Sequence, residues 1–179
     1  FAAAGCAACH TDKKGKGASL AGGRKLKTPF GIFFSPNITP DPEYGIGKWS
    51  DRDFIRALRQ GVAPDGRHYF PVFPYPSYTG ITDRDLLDLK AYLFTQPPAK
   101  TANKPHDTAP PFGWRFLVPL WKALHFTPGP FRADPGRSGQ WNRGAYLVTA
   151  LGHCGECHTP RDGLGGAKAS MSLAGTTKG

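Results

Sequence analysis

The sequence predicts a mainly α-helical protein made of two tandem modules of one kind, with few or no strands and many Gly/Pro-rich loops. Three observations carry this expectation. Glycine supplies 23 and proline 18 of the 179 residues, so long regular elements are scarce. The two stretches with clear apolar periodicity have helical spacing, and each opens on a capping residue. A short cysteine-containing motif occurs twice together with its surroundings, which marks a duplicated unit.

In chain order, the first copy of that motif is "GCAACHTD" (Gly5 to Asp12), preceded only by "FAAAG". It leads through a loop to "SLAG" (Ser19 to Gly22). Ser50 then caps "DRDFIRALRQ", with Asp53 as its reciprocal partner, Phe54, Ile55 and Leu58 as the apolar stripe, and Gly61 as the stop. The stretch "RHYFPVFPYPSY" (Arg67 to Tyr78) is too rich in proline for a central strand and too aromatic for an idle loop. Thr82 caps "DRDLLDLKAYLF" with Asp85. Leu86, Leu89, Leu93 and the stem of Lys90 form the stripe, and Pro97 and Pro98 end it. The next stretch is Pro-rich but holds Trp114, Phe116, Trp121 and Phe126, so it is expected to pack against the modules. "WNRGAYLVTALG" (Trp141 to Gly152) reads as a helix entering the second motif, "HCGECHTPRD" (His153 to Asp162), and a second "SLAG" follows at Ser172 to Gly175. The expected division is a first module over 1–100 with a truncated N-terminal helix, a packed connection over 101–138, and the start of a second module over 139–179 whose C-terminal part is absent.

The formal net charge is +10, which suits an acidic protein surface as partner, or a merely solvated face. Nucleic acid is not expected, because the basic residues are scattered and only "KKGK" (Lys13 to Lys16) and "RKLK" (Arg24 to Lys27) form short clusters. Apolar runs such as "FLVPL" (Phe116 to Leu120) are far too short to span a bilayer. Membrane association would therefore come through a partner or an absent terminal segment. The abrupt start on "FAAAGC" leaves room for a removed leader.

All four cysteines lie in two C-x-x-C-H frames, Cys6, Cys9 and His10, and Cys154, Cys157 and His158. This is the attachment signal of c-type haem. Two thiols three positions apart reach the two vinyl groups of one porphyrin, and the next histidine serves as the iron's proximal ligand. A tetrathiolate zinc site would not need a histidine after both pairs, and a thioredoxin-like site expects βαβ surroundings that are missing here. The frames thus predict two covalently attached haem c groups, with His10 and His158 as metal ligands. Attachment of this kind belongs outside the cytoplasm, in a periplasmic setting.

The segments "GCAACHT", "TPFGIFFSPNITPDPEYGIGKWSDRDFIRALRQGV", "YPSY" and "NRGAYLVTALGHCGECHTPR" resemble the multi-haem cytochrome c subunits of membrane-associated bacterial alcohol, gluconate and related dehydrogenases. The resemblance implies tandem class I cytochrome c-like modules. It also implies a role in passing electrons from a partner dehydrogenase subunit toward a quinone or an oxidase-side acceptor in the respiratory chain. In many relatives a "Y-P-x-M-P-Y" segment carries the distal methionine. Here Phe70 to Tyr75 matches it and Phe73 stands in the methionine's place, so Phe73 and Tyr75 are expected in the wall of the first haem.

Phenylalanine cannot ligate iron, which leaves the sixth position open. His68 is one candidate, giving bis-histidine coordination. The others are a five-coordinate iron under Phe73 and a remote histidine such as His106 or His125. The single methionine, Met171, lies in a loop whose counterpart in the first copy is Ala18 and reads as an ordinary loop residue. An alternative function is a haem enzyme, of peroxidase or oxidase type, or a ligand-binding haem protein with an open distal face on the first haem. Such an enzyme needs a polar distal acid or base, and the Phe/Pro-rich loop offers mainly apolar groups, which favours electron transfer over chemistry.

Overall fold

The computed structural model describes residues 1–176. Its helices are α1 (Cys6–His10), α2 (Asp51–Gln60), α3 (Tyr75–Tyr78), α4 (Asp83–Phe94), α5 (Val118–His125), α6 (Gly139–Tyr146) and α7 (Gly155–His158). One short hairpin, β1 (Lys25–Thr28) with β2 (Gly31–Phe34), is the only sheet among the described residues. The mainly helical expectation holds. The chain falls into two compact units that interleave in sequence. One is Phe1–Phe54 with Arg84–Arg115, and the other is Ile55–Asp83 with the chain from Phe116 onward.

In the first unit the hairpin pairs antiparallel, with Lys25 opposite Phe34 and Thr28 opposite Gly31. Its turn is closed by Thr28, whose hydroxyl donates to the Gly31 carbonyl (3.0 Å) and accepts the Phe30 amide (3.1 Å). The "NITPD" segment beyond it is a polar clamp. Asn37 Nδ2 donates to the carbonyls of Ala99 (2.7 Å) and Thr101 (3.1 Å), and its Oδ1 accepts from the Thr39 amide (2.9 Å) and hydroxyl (2.7 Å). The Thr39 hydroxyl in turn accepts the Ala99 amide at 3.1 Å. Asn37 and Thr39 are buried, so these bonds offset their desolvation. The glycines of "GIG" follow from close approach. A Cβ on Gly45 would lie 2.1 Å from the Thr39 carbonyl oxygen, and one on Gly47 2.4 Å from that of Pro40.

Ser50 and Asp53 form the reciprocal box at the start of α2. The Asp53 amide reaches Ser50 Oγ at 3.2 Å, and the Ser50 amide reaches Asp53 Oδ2 at 3.1 Å. Helix α4 buries Leu86, Leu89 and Leu93, as their spacing predicts. Lys90 runs beside them, with its ammonium 5.0 Å from the Phe94 ring centre and 2.6 Å from Asp51 Oδ1.

In the second unit, Arg59 donates to the carbonyls of Thr79 (2.9 Å) and Ile81 (2.8 Å) and pairs with Asp83, which pins the loop after α3 to α2. Ser138 Oγ caps α6 by accepting the Trp141 amide at 3.2 Å. A wide π turn over Leu147–Leu151 carries α6 toward α7, so the predicted helix is present but loosens before the second motif. Tyr146 on α6 accepts the Thr82 amide through its hydroxyl at 3.2 Å.

The connection departs from the expectation that its aromatic residues pack inward. It contains α5, on which Val118 and Lys122 are buried while Leu120 and Leu124 are 61% and 64% exposed, with Phe116 just before it at 72%. Trp114 is also exposed, whereas Trp121 and Phe126 are half-buried. The helix is inverted: Lys122 points inward and its outer face is apolar. No helix among the described residues is long and apolar enough to cross a membrane.

Candidate functional site

The two cysteine motifs have the same local geometry, each within its own unit. Gly5 and His153 precede the first cysteine of each copy in the left-handed region, at φ 63 and 40. The threonine after each histidine accepts the leucine amide of "SLAG": Thr11 Oγ1 from Leu20 at 3.1 Å, and Thr159 Oγ1 from Leu173 at 3.0 Å. Both leucines have positive φ, 61 and 59. The glycine amide that follows returns to the histidine carbonyl at 2.8 Å in both copies, Gly22 to His10 and Gly175 to His158. The Ala21 amide bonds Ala18, and the Ala174 amide bonds Met171. Met171 thus occupies the place of Ala18, and it is exposed.

On a helical turn, residues three and four apart share a face. Cys6, Cys9 and His10 therefore stand together on α1. In each copy the first cysteine is half-buried, the second is exposed, and all four are free thiols. Burial pushes the Cys6 thiol above its ordinary range, so it is held as S–H. His10 Nδ1 lies 2.7 Å from the Pro36 carbonyl oxygen. A carbonyl only accepts, so Nδ1 carries the proton and Nε2 keeps its lone pair. Burial pushes the His10 pKa down, which keeps the ring neutral. A neutral imidazole oriented by a carbonyl is the usual state of a histidine ligand. These thiols and this histidine fit a covalently held haem.

The second unit holds Phe73 and Tyr75, the residues expected in the wall of the first haem. Tyr75 is wholly buried, and its hydroxyl has no hydrogen-bond partner. Burial and then the Glu156 charge raise its pKa, so it stays a phenol. Phe73 meets the rings of Tyr69, Tyr78 and Tyr75 edge-on, with centroids 5.6, 5.8 and 6.3 Å away. Lys122 Nζ lies 2.6 Å from the Gln60 carbonyl, 2.9 Å from that of Gly61, 3.0 Å from His68 Nδ1 and 4.6 Å from the Tyr75 ring centre. Gly61, at φ 62, ends α2 in the left-handed region. The carbonyls there lack helical partners and attract a cation.

Burial lowers the Lys122 pKa to about 8, so the ammonium persists at neutral pH. Its three protons meet three acceptors. His68 Nδ1 is therefore an acceptor, and the imidazole proton sits on Nε2. Burial and the Lys122 charge together hold the His68 pKa down.

Two other histidines were weighed as ligands. His106 Nδ1 accepts the Phe34 amide at 3.2 Å, with its ring edge-on to Phe33 at 5.1 Å. His125 Nδ1 lies 3.6 Å from Asp162, and its buried Nε2 has no partner. Lys122, Ser77 and Glu156 did not stand out in the sequence. Ser77 donates to Glu156 Oε1 at 2.7 Å, and Arg161 pairs with Oε2. This fixes the residue inside the second C-x-x-C pair. The only available signal was Lys122, the one lysine in the apolar run "VPLWKALH".

The duplicated thiol–histidine geometry defines a c-type cytochrome. The sequence profile of the cytochrome c family matches residues 1–97, and the chain belongs to that family. It is 47% identical over 178 residues to a dihaem c-type cytochrome of Cereibacter sphaeroides, covering 98% of this chain and 60% of that protein. It is 42% identical over 179 residues to the fructose dehydrogenase cytochrome subunit of Gluconobacter japonicus, covering 99% and 37%. It is also 41% identical over 174 residues to the cytochrome c subunit of a quinone-dependent alcohol dehydrogenase of Gluconacetobacter polyoxogenes, covering 95% and 36%. The chain thus spans less than two thirds of the length of these relatives. With two C-x-x-C pairs and a dihaem relative, its cofactors are two haem c groups.

Proposed function

We propose that this chain is an electron-transfer module that takes electrons from a partner dehydrogenase subunit and passes them toward a quinone or an oxidase-side acceptor. The observation that carries this reading is the twin motif, with its free thiols, its neutral oriented His10 and a mainly apolar aromatic loop. Cys6 and Cys9 would hold one haem and Cys154 and Cys157 the other. Each S–H would add across a vinyl C=C, so that sulfur bonds one carbon and the proton goes to the other. His10 and His158 would be the proximal ligands, and Phe73 and Tyr75 would contribute to a haem wall. Bound haem supplies a one-electron Fe(III)/Fe(II) couple.

The names of the relatives favour a dehydrogenase as partner. The net charge of +10 favours an acidic docking face on it. The need for thiol-to-vinyl attachment outside the cytoplasm favours a periplasmic location. The test is a pyridine haemochrome assay together with a reduction assay using a dehydrogenase of the relatives' kind. Two covalent haems per chain, one after Cys6→Ala with Cys9→Ala, and reduction on adding the dehydrogenase and its substrate are expected. No covalent haem, or two haems that the dehydrogenase never reduces while rapid peroxide turnover is seen, would overturn it.

A further inference from the structure

We propose that the cationic ribbon of Lys13, Lys14, Lys16, Arg24, Lys25 and Lys27 is the docking face for an acidic protein surface, which makes the first haem motif the port for electron exchange with that partner. This rests on the reading above that the chain is a haem-bearing electron carrier, and it gives the net charge a definite place. Residues 12–27 carry these six cations against one carboxylate. All six are exposed, and none of them forms an ion pair among the described residues. In sequence they fall into two short clusters, which the fold joins. Thr11 and Gly22 form a parallel bridge, so the chain leaves both in the same direction, with Lys13 and Arg24 each two residues beyond it. The first cluster sits in a tight turn on Asp12, whose carbonyl accepts the Gly17 amide at 2.9 Å and whose carboxylate accepts the Gly15 amide at 3.0 Å. The second begins where the Ser35 hydroxyl accepts the Arg24 amide at 3.1 Å, and it continues along β1. Lys104 adds a seventh cation there, with Nζ 5.8 Å from the ring centre of Phe34, the cross-strand partner of Lys25. The Gly22 amide returns to the His10 carbonyl at 2.8 Å, so the ribbon is built onto the first proximal histidine.

The second copy has no such ribbon. Between Thr159 and its "SLAG" it holds only Arg161 and Lys168. Arg161 pairs with Glu156, and the Lys168 charge acts on Asp162. That stretch exposes Leu164 and Met171 instead. The chemistry of the ribbon selects among its possible partners. β1 alone spans about 10 Å, more than a small anion covers. A lipid surface calls for apolar side chains among the cations. Here the exposed residues between them are Gly15, Gly17, Ala18 and Ser19, while Leu20 is buried. Nucleic acid calls for stacking rings or a helix that enters a groove, and residues 12–27 are loop and strand without an aromatic side chain. A protein surface rich in Asp and Glu needs only the complementary field, which speeds encounter and fixes orientation.

The test uses charge reversal in the full-length holoprotein. Lys25→Glu with Lys27→Glu reverses two charges on β1, and Lys13→Glu with Lys14→Glu reverses two in the loop. Arg132→Glu with Lys168→Glu, both exposed in the second unit, changes the net charge equally and serves as control. Should the β1 pair fail to fold by circular dichroism, the loop pair decides. Reduction by a dehydrogenase of the relatives' kind and its substrate is followed by stopped-flow at the haem Soret band. Each ribbon variant is expected to be reduced about tenfold more slowly than wild type at low ionic strength, with a flatter salt dependence. The control should stay close to wild type. Poly-L-glutamate should compete with the dehydrogenase for wild type and do so weakly for the ribbon variants.

An equal fall in the control and the ribbon variants would overturn the proposal, because total charge and not the ribbon would then set the rate. Unchanged rates in the ribbon variants would overturn it as well. So would loss of binding to phosphatidylglycerol vesicles in those variants with reduction unaffected, which assigns the ribbon to a lipid surface. The two levels of inference fail differently. Wild-type protein with two haems by pyridine haemochrome that the dehydrogenase never reduces defeats the electron-transfer reading, whereas reduction that is equally fast in wild type and ribbon variants defeats only the docking face.

Discussion

Thr11 follows His10 directly, and its hydroxyl holds the amide of Leu20, a residue 1% exposed and in the left-handed region at φ 61. Without that hydroxyl the buried amide has no acceptor in place, and the leucine backbone must be held by other contacts. Thr11→Val keeps the shape and removes the acceptor. It is expected to cost about 1–3 kcal/mol, the desolvation of one unpaired donor, read as a lower midpoint in urea with an unchanged slope. Thr159 does the same for Leu173, but that leucine is exposed, so Thr159→Val should cost less. Equal costs in the two copies would show that burial of the leucine does not set the effect. The threonines were legible as a repeat in the sequence. Their task was not, because a hydroxyl bonding an amide nine or fourteen residues on leaves no periodic trace.

Helix α2 was legible at its start, since Ser50 and Asp53 stand at the spacing that lets each side chain take the other's amide. Ser50→Ala should cost about 1 kcal/mol by thermal or urea unfolding, and Ser50→Thr much less. The hairpin was not legible, because "KLKTPFGIFF" lacks clean alternation and its stability depends on the distant His106. Burial, then the Arg115 charge, lowers the His106 pKa below its ordinary 6.5. The ring is thus neutral when folded, while the unfolded chain binds a proton more readily. Stability from this residue is present above about pH 6.5 and is lost as pH falls through that value toward the lower folded pKa. His106→Asn supplies an amide oxygen in place of Nδ1 and should flatten that acid-side loss. An unaltered pH–stability curve in the variant would mean that another group causes it. The inversion of α5 was equally hidden, since its eight residues are apolar apart from Lys122 and His125 and nothing in their order says which side faces solvent.

For the molecule as a whole, the formal charge of +10 makes encounter with small charged redox reagents a direct readout of surface potential. Ferricyanide, an anion, should oxidise the reduced protein fastest at low ionic strength. The rate should drop as salt brings the screening length to about 8 Å near 0.15 M. A cationic cobalt(III) oxidant should show the opposite trend, measured by stopped-flow at the haem Soret band. Matching salt dependences for the two reagents would mean that the haems sit beneath a locally neutral face.

The chemistry of attachment was readable without a fold, because thioether bonding needs two thiols and a histidine at fixed short spacing. Such local geometry is written in consecutive residues. The helical class, the duplicated motif and the capped start of α2 were readable for the same reason. The environment of those groups was not. The Pro36 carbonyl that sets His10's proton, the Lys122 ammonium that sets His68's, and the unbonded Tyr75 hydroxyl each depend on residues tens of positions apart. The interleaving of the chain into two units is of the same kind. Burial and long-range hydrogen bonding assign protons and orient charges. They come into being only when distant segments are packed together, so their outcome has no signature in any single stretch of sequence.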